Sequence, residues 1–177
     1  MRIKTTRRPV VGVISGLLAL GIAGPASAAD TSATVTLTGG SLSISVPTDA
    51  GNLGTRTNTV LGGTISGSLG QVRVDDARGA AAGSGWVASV ISTAFTPLTG
   101  ATIGAAAVGY VAGPITKVGT ATFTANDPPN LTGAVPAVTA TGITGDNSAT
   151  WNPTITIAIA GGKPAGVYSG TITHSVV

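Results

Sequence analysis

The sequence predicts an all-β protein, a single antiparallel β-sandwich of Greek-key type, and three observations carry that prediction. First, aliphatic and hydroxyl side chains alternate. Leu42, Ile44 and Val46 alternate with Ser41, Ser43 and Ser45, and Ile155, Ile157 and Ile159 with Thr154, Thr156 and Ala158. A period of two puts one set on each face of a sheet. Second, Gly- and Pro-rich turn signals interrupt these runs at short intervals, as in sandwiches and barrels. Third, no segment beyond residue 28 holds a helical period over two turns.

The elements follow in order. Val35 and Leu37 alternate with Thr34, Thr36 and Thr38, which predicts a strand near 33–38; Gly39-Gly40 then stands at hairpin spacing before a strand at 41–46. Pro47, Gly62-Gly63, Asp127-Pro128-Pro129, Gly145-Asp146-Asn147 and Gly161-Gly162 bound further strands near 58–66, 70–75, 85–95, 106–111, 118–124, 134–141, 153–160 and 166–176. Thr, Val and Ile suit these positions because branching at Cβ packs well on a pleated surface. In 85–95, Trp86, Ala88 and Val90 share one face and Val87, Ile91 and Phe95 the other, so this strand is expected to be central and covered on both sides. In the last strand Tyr168, Ile172, His174 and Val176 share a face. No internal repeat stands out.

The N-terminus carries a different signal. Arg2, Lys4, Arg7 and Arg8 precede an apolar run from Val10 to Ala23, and Gly24-Pro25-Ala26-Ser27-Ala28 closes it. Positive start, apolar core and a small Ala-x-Ala site read as a secretory signal peptide over residues 1–28, cut after Ala28 or, as the second choice, after Ala29. The run is too short and wrongly flanked for a spanning helix. Residues 29–177 are expected to form one domain, large enough to bury a core.

Removing the signal alters the electrostatics. Four of the nine basic residues lie within it. Arg56, Arg73, Arg78, Lys117 and Lys163 remain against Asp30, Asp49, Asp75, Asp76, Asp127 and Asp146, five positive against six negative, for a net charge of −1. The alkaline character of the precursor therefore does not point to nucleic acid, which calls for a basic patch. With 8% charged residues and a mean hydropathy of +0.45, the chain also lacks the polar, highly charged signature of disorder. Cysteine is absent, so stability in an oxidising compartment must come from packing. The mature part shows no transmembrane anchor and no Leu-Pro-x-Thr-Gly sorting signal.

Two stretches resemble a known family. Val72-Arg73-Val74-Asp75-Asp76-Ala77-Arg78-Gly79, a short Gly/Ala spacer and Gly85-Trp86-Val87-Ala88-Ser89-Val90 are similar to the first motif of the WxL family. Ala165-Gly166-Val167-Tyr168-Ser169-Gly170-Thr171-Ile172-Thr173-His174-Ser175-Val176 resembles its second. The similarity is greatest to short actinobacterial WxL-like secreted proteins, in which segments like Asn147-Ser148-Ala149-Thr150-Trp151-Asn152-Pro153-Thr154 recur. It implies a secreted all-β module of Gram-positive bacteria that attaches non-covalently to the cell wall, with peptidoglycan as ligand and other surface proteins as companions. The implied ligand-contacting positions are Trp86, Tyr168, His174 and Val176. The chain departs from the motif: Ala88 stands in place of Leu, His174 in place of Trp and Val176 in place of Leu. If those positions contact the wall, binding is altered; if they form core, smaller residues are tolerable with repacking.

Catalytic chemistry finds few residues to use. One His, no Cys and no Glu leave zinc almost without ligands, and no Gly-x-Ser-x-Gly elbow accompanies His174. His174 is expected to sit in a regular strand with its ring satisfied. Asp75 and Asp76 are the acids that could flank a glycosidic bond, but neighbouring strand residues point to opposite faces. The simpler expectation is a structural turn of Asp75, Asp76, Arg78 and Gly79, in which Arg78 meets one of the two carboxylates. No Asp-x-Asp-x-Asp calcium loop and no phosphate or dinucleotide glycine pattern occurs, so no metal or cofactor is implied.

Two functions remain as expectations. One is a non-catalytic cell-surface module that binds peptidoglycan or another wall glycan through Thr/Ser-covered faces and a few exposed aromatic rings. The other is a structural protein that joins surface partners through sheet edges, which so few charges leave poorly defended.

Overall fold

Strand propensity and alternation set the elements of the computed structural model, which describes residues 31–177. The signal segment 1–28 and the cut sites at Ala28 and Ala29 lie outside the described residues. Ten strands form: β1 (Leu42–Ser45), β2 (Gly63–Ser68), β3 (Val72–Ser92), β4 (Thr96–Pro97), β5 (Val108–Val111), β6 (Thr116–Ala125), β7 (Val135–Trp151), β8 (Thr154–Ile159), β9 (Tyr168–Ser169) and β10 (Ile172–Val176). A single 3-10 turn, Ala105–Ala107, leads into β5.

The strands build a larger and a smaller antiparallel sheet. The larger runs β1-β3-β7-β6, with β10 beside the second half of β3. The smaller runs β2-β8-β5, and β4 pairs with β9 as a separate two-stranded ribbon. The core lies between the sheets, as in a sandwich. From the larger sheet come Val72, Val74, Trp86, Ala88 and Val90 of β3 and Val138, Ala140, Ile143, Ala149 and Trp151 of β7; from the smaller come Val108, Tyr110, Ile155 and Ile157. The all-β class therefore holds, and residues Leu37–Val177 form one compact unit.

Several boundaries differ from the sequence expectation, each for a physical reason. Residues 33–38 form no strand, and Leu37 is exposed. Gly39-Gly40 is not a hairpin turn but a close approach: a Cβ on Gly39 would lie 2.4 Å from the carbonyl oxygen of Arg78. The strand expected at 58–66 begins instead at Gly63. The strands expected at 70–75 and 85–95 are one strand, β3, and the turn expected at Gly145-Asp146-Asn147 is the middle of β7. Along this pair the register shifts repeatedly between Asp76 and Trp86. Gly79 (φ 62°) and Gly142 (φ 64°) occupy the left-handed region there, so glycines that resemble turn formers serve bulges instead.

The face assignments also change in part. β3 is central, as expected, but its outer face is only half covered: Val87 is half-buried and Ile91 exposed, while Phe95 lies beyond the strand and is buried. The last expected strand splits at Gly170, whose α-carbon sits so close to the Phe95 ring that a Cβ would meet it at 2.9 Å. Tyr168 thus belongs to the ribbon, apart from Ile172, His174 and Val176.

Candidate functional site

The inner side of the motif segments is built from two buried polar chains. Asp76 of β3 is 1% exposed, a position a carboxylate occupies only when paired. Arg78 donates to it from Nε (2.8 Å) and from an Nη (3.0 Å), and Asn147 Nδ2 donates to its second oxygen (3.1 Å). The Asn147 amide oxygen in turn accepts the indole N–H of Trp86 at 3.0 Å. The Arg78 guanidinium holds the Asp76 carboxyl below the usual carboxylate range, against the opposing effect of burial. Asp75 points the other way and pairs with Arg73 on the exposed face. Arg78 therefore meets one of the two carboxylates, as expected. The turn does not form: Asp75, Asp76, Arg78 and Gly79 are strand residues of β3, with a bulge at Gly79.

The second chain joins both sheets. Trp151 Nε1 donates to the Tyr110 hydroxyl at 2.7 Å, and that hydroxyl stands 3.2 Å from His174 Nε2. An indole N–H can only donate, so the Tyr110 hydroxyl accepts it, and the same hydroxyl shares a hydrogen bond with His174 Nε2 whose direction is set by the ring tautomer. The other ring nitrogen, Nδ1, is buried and has no partner. Burial lowers the His174 pKa to about 4 and pushes the Tyr110 hydroxyl up. His174 is therefore neutral near pH 7.

The expected ligand positions are accordingly not gathered on one surface. Trp86 is 2% exposed and packs its ring 5.6 Å from that of Phe123. It cannot reach a wall polymer. His174 and Val176 face inward from β10 and are half-buried, opposite Val90 and Ala88 of β3. Tyr168 is half-buried on β9, where its hydroxyl donates to the carbonyl of Pro164 at 2.8 Å. The exposed aromatic rings expected for stacking on sugars are absent: Trp86, Phe95, Tyr110 and Trp151 are buried, Phe123 and Tyr168 half-buried. Among the described residues no three His, Cys, Asp or Glu side chains converge as metal ligands.

What the larger sheet does present is hydroxyl groups. β6 and β7 face each other in the pairs Thr116–Thr150, Val118–Ser148, Thr120–Thr144, Thr122–Thr141 and Thr124–Thr139. All ten point outward, because the alternate residues Ala121 and Phe123 of β6 and Ala140, Ile143 and Ala149 of β7 turn toward the core. Nine of the ten therefore carry a hydroxyl. Register extends the face across the sheet, from Thr116 and Thr150 to Arg73 and Ser45. On the far half Ser89 stands beside Ser175, and Ile91 beside Thr173. Neighbouring strands set these groups ~4.8 Å apart, and alternate residues along a strand set them ~6.7 Å apart. The charged side chains along β6 and β7 are Lys117 at the edge and Asp146, which accepts the Gly79 amide; each hydroxyl carries one donor and two acceptor positions, of which Thr139 spends one acceptor on Asn126.

The sequence shows the hydroxyl alternation but not the pairing that makes it a grid. It also leaves Asn147 and Tyr110 unnoticed as partners. Asn147 shares its strand parity with Ala149 and Trp151, and a polar residue on an inward-facing parity is the signal that marks it. No protein-family model matches the chain, and comparison with curated proteins and with solved structures finds no match either.

Proposed function

We propose that this chain is a secreted, non-catalytic module that binds the bacterial cell wall non-covalently, with peptidoglycan glycan strands as ligand, in the manner that its resemblance to the short WxL-like proteins implies. The observation that carries the reading is the threonine grid on β6 and β7. A glycan strand displays hydroxyls and amides at regular intervals, and a rigid sheet can meet several of them at once without reorganising. Each contact is weak; their number and fixed spacing give retention on a polymer. The Trp86 and His174 positions support this indirectly, by tying β3 to β7 and β10 to β5 beneath the face.

A second reading keeps one specific observation. β6 is an edge strand of ten residues with one charged side chain, Lys117, so its open edge suits strand addition by another surface protein. Co-sedimentation separates the two. The secreted chain should pellet with purified, protein-free peptidoglycan and be released by soluble muropeptide fragments. Thr122→Glu with Thr141→Glu should lower retention at least about tenfold, by adding charge and bulk to adjoining rungs, without changing the circular dichroism spectrum. Strand addition predicts no pelleting with protein-free walls.

A further inference from the structure

A second feature of the molecule shares no residue with the hydroxyl grid. Residues 46–62, between β1 and β2, contain no strand. Structureless connections longer than about 15 residues are uncommon in compact domains and usually functional. This one folds on itself: Asn52 Nδ2 donates to Thr55 Oγ1, and Gly54 N–H to the Asn52 amide oxygen. It is tied to the segment before β9 by Asn58 Nδ2 donating to the Lys163 carbonyl at 2.6 Å. Between loop, ribbon and sheets lies a cavity of about 950 Å³. Its floor is apolar, formed by Ile65, Phe95, Ile103, Ile157, Ile159 and Ile172.

Two of the three cations without an ion pair among the described residues lie on the walls of this cavity, the third being Lys117 on β6. Among the described residues the ion pairs are Arg73–Asp75 and Arg78–Asp76. Arg56 and Lys163 have no carboxylate partner, and both line the cavity. One Arg56 Nη donates to the carbonyl of Gly62 at 2.8 Å, and the guanidinium lies flat over Gly63, where any Cβ would collide with it. Its remaining N–H groups are unspent, in the fork geometry that suits a carboxylate. Lys163 Nζ reaches the carbonyl of Thr102 at 2.6 Å. The single acid lining the cavity, Asp49, spends one oxygen on the amide of Gly51.

An apolar floor with fixed, unneutralised cations on its walls is complementary to an amphiphilic anion. The geometry points to a site for a single-chain fatty carboxylate, its hydrocarbon chain on the isoleucine floor and its carboxylate on Arg56. The volume lies within the range of small-molecule pockets. This site is separate from the wall-binding face, so either can fail without the other.

Calorimetric titration of the secreted chain with octanoate, decanoate and dodecanoate, each below its micellar concentration, tests it. Affinity should rise about fourfold per added methylene, the factor for burying a CH2 group. Arg56→Gln should weaken dodecanoate about tenfold while leaving retention on peptidoglycan unchanged. Leu53→Trp, a loop substitution that fills the cavity, should weaken all three, and a thermal melt reports whether each variant is folded. Absence of binding by dodecanoate, or binding of dodecyltrimethylammonium as tight as that of dodecanoate, would overturn the proposal. So would a folded Arg56→Gln chain with wild-type affinity.

Discussion

Trp86→Ala is expected to destabilise the chain by about 3–5 kcal/mol, the range for large aromatics removed from cores. Two losses combine. The indole leaves a void against Phe123, and the Asn147 amide oxygen loses its donor inside the sheet. Trp86→Phe separates them, because it retains most of the ring volume and removes only the N–H; it should cost about 1–3 kcal/mol. Denaturant unfolding measures both. Set against a total of about 5–15 kcal/mol for a typical domain, the alanine variant is close to the limit of folding. A loss below about 1 kcal/mol would mean that the Trp86–Asn147–Asp76–Arg78 chain does not hold the bulged centre of β3 and β7 together.

Acidification should weaken the fold in two stages with different residues responsible. His174 titrates near 6.5 when unfolded and at about 4 when folded. The unfolded state therefore binds more protons between those values, and stability present above pH 6.5 is lost as pH falls toward 4. The difference corresponds to at most about 3 kcal/mol. Asp76 is depressed by Arg78, so its contribution is present above the normal carboxylate range and is lost as pH falls further, through the folded value. His174→Phe should flatten the first stage and leave the second. The check is the unfolding free energy measured at intervals from pH 7.5 to 3. Equal slopes for the two chains between pH 6.5 and 4 would show that His174 is not held neutral beside Tyr110.

Much of the fold is legible because its signal is local. In β1, β8 and β10 the period of two identifies both the strand and its inward face: Leu42 and Ile44, Ile155 and Ile157, Ile172 and Val176 are the buried or half-buried partners of exposed or less buried neighbours. What escapes is what depends on pairing. Gly79, Gly142 and Gly145 are the residues of turns and equally of bulges, and only the opposing strand decides between them. Val35 and Leu37 show the pattern of a strand but pair with none. The motif positions were legible as special but not in role. Trp86 and His174 stand out for their chemistry, yet that chemistry is spent inside, on Asn147 and Tyr110, which come from other strands. The hydroxyl grid depends on pairing for the same reason: Thr120, Thr122 and Thr124 alternate in sequence, but their partners Thr144, Thr141 and Thr139 are set by a register that two bulges shift.

Methyl-resolved NMR of the chain from residue 29, labelled at threonine and titrated with soluble peptidoglycan fragments, tests the proposed wall-binding face most directly. The threonine grid predicts that the methyl signals of Thr116, Thr120, Thr122, Thr124, Thr139, Thr141, Thr144 and Thr150 shift together and saturate with one affinity, while those of Thr48, Thr55, Thr57 and Thr59 stay in place. Shifts confined to the loop threonines, or no shifts at fragment concentrations that release the chain from intact walls, would contradict it.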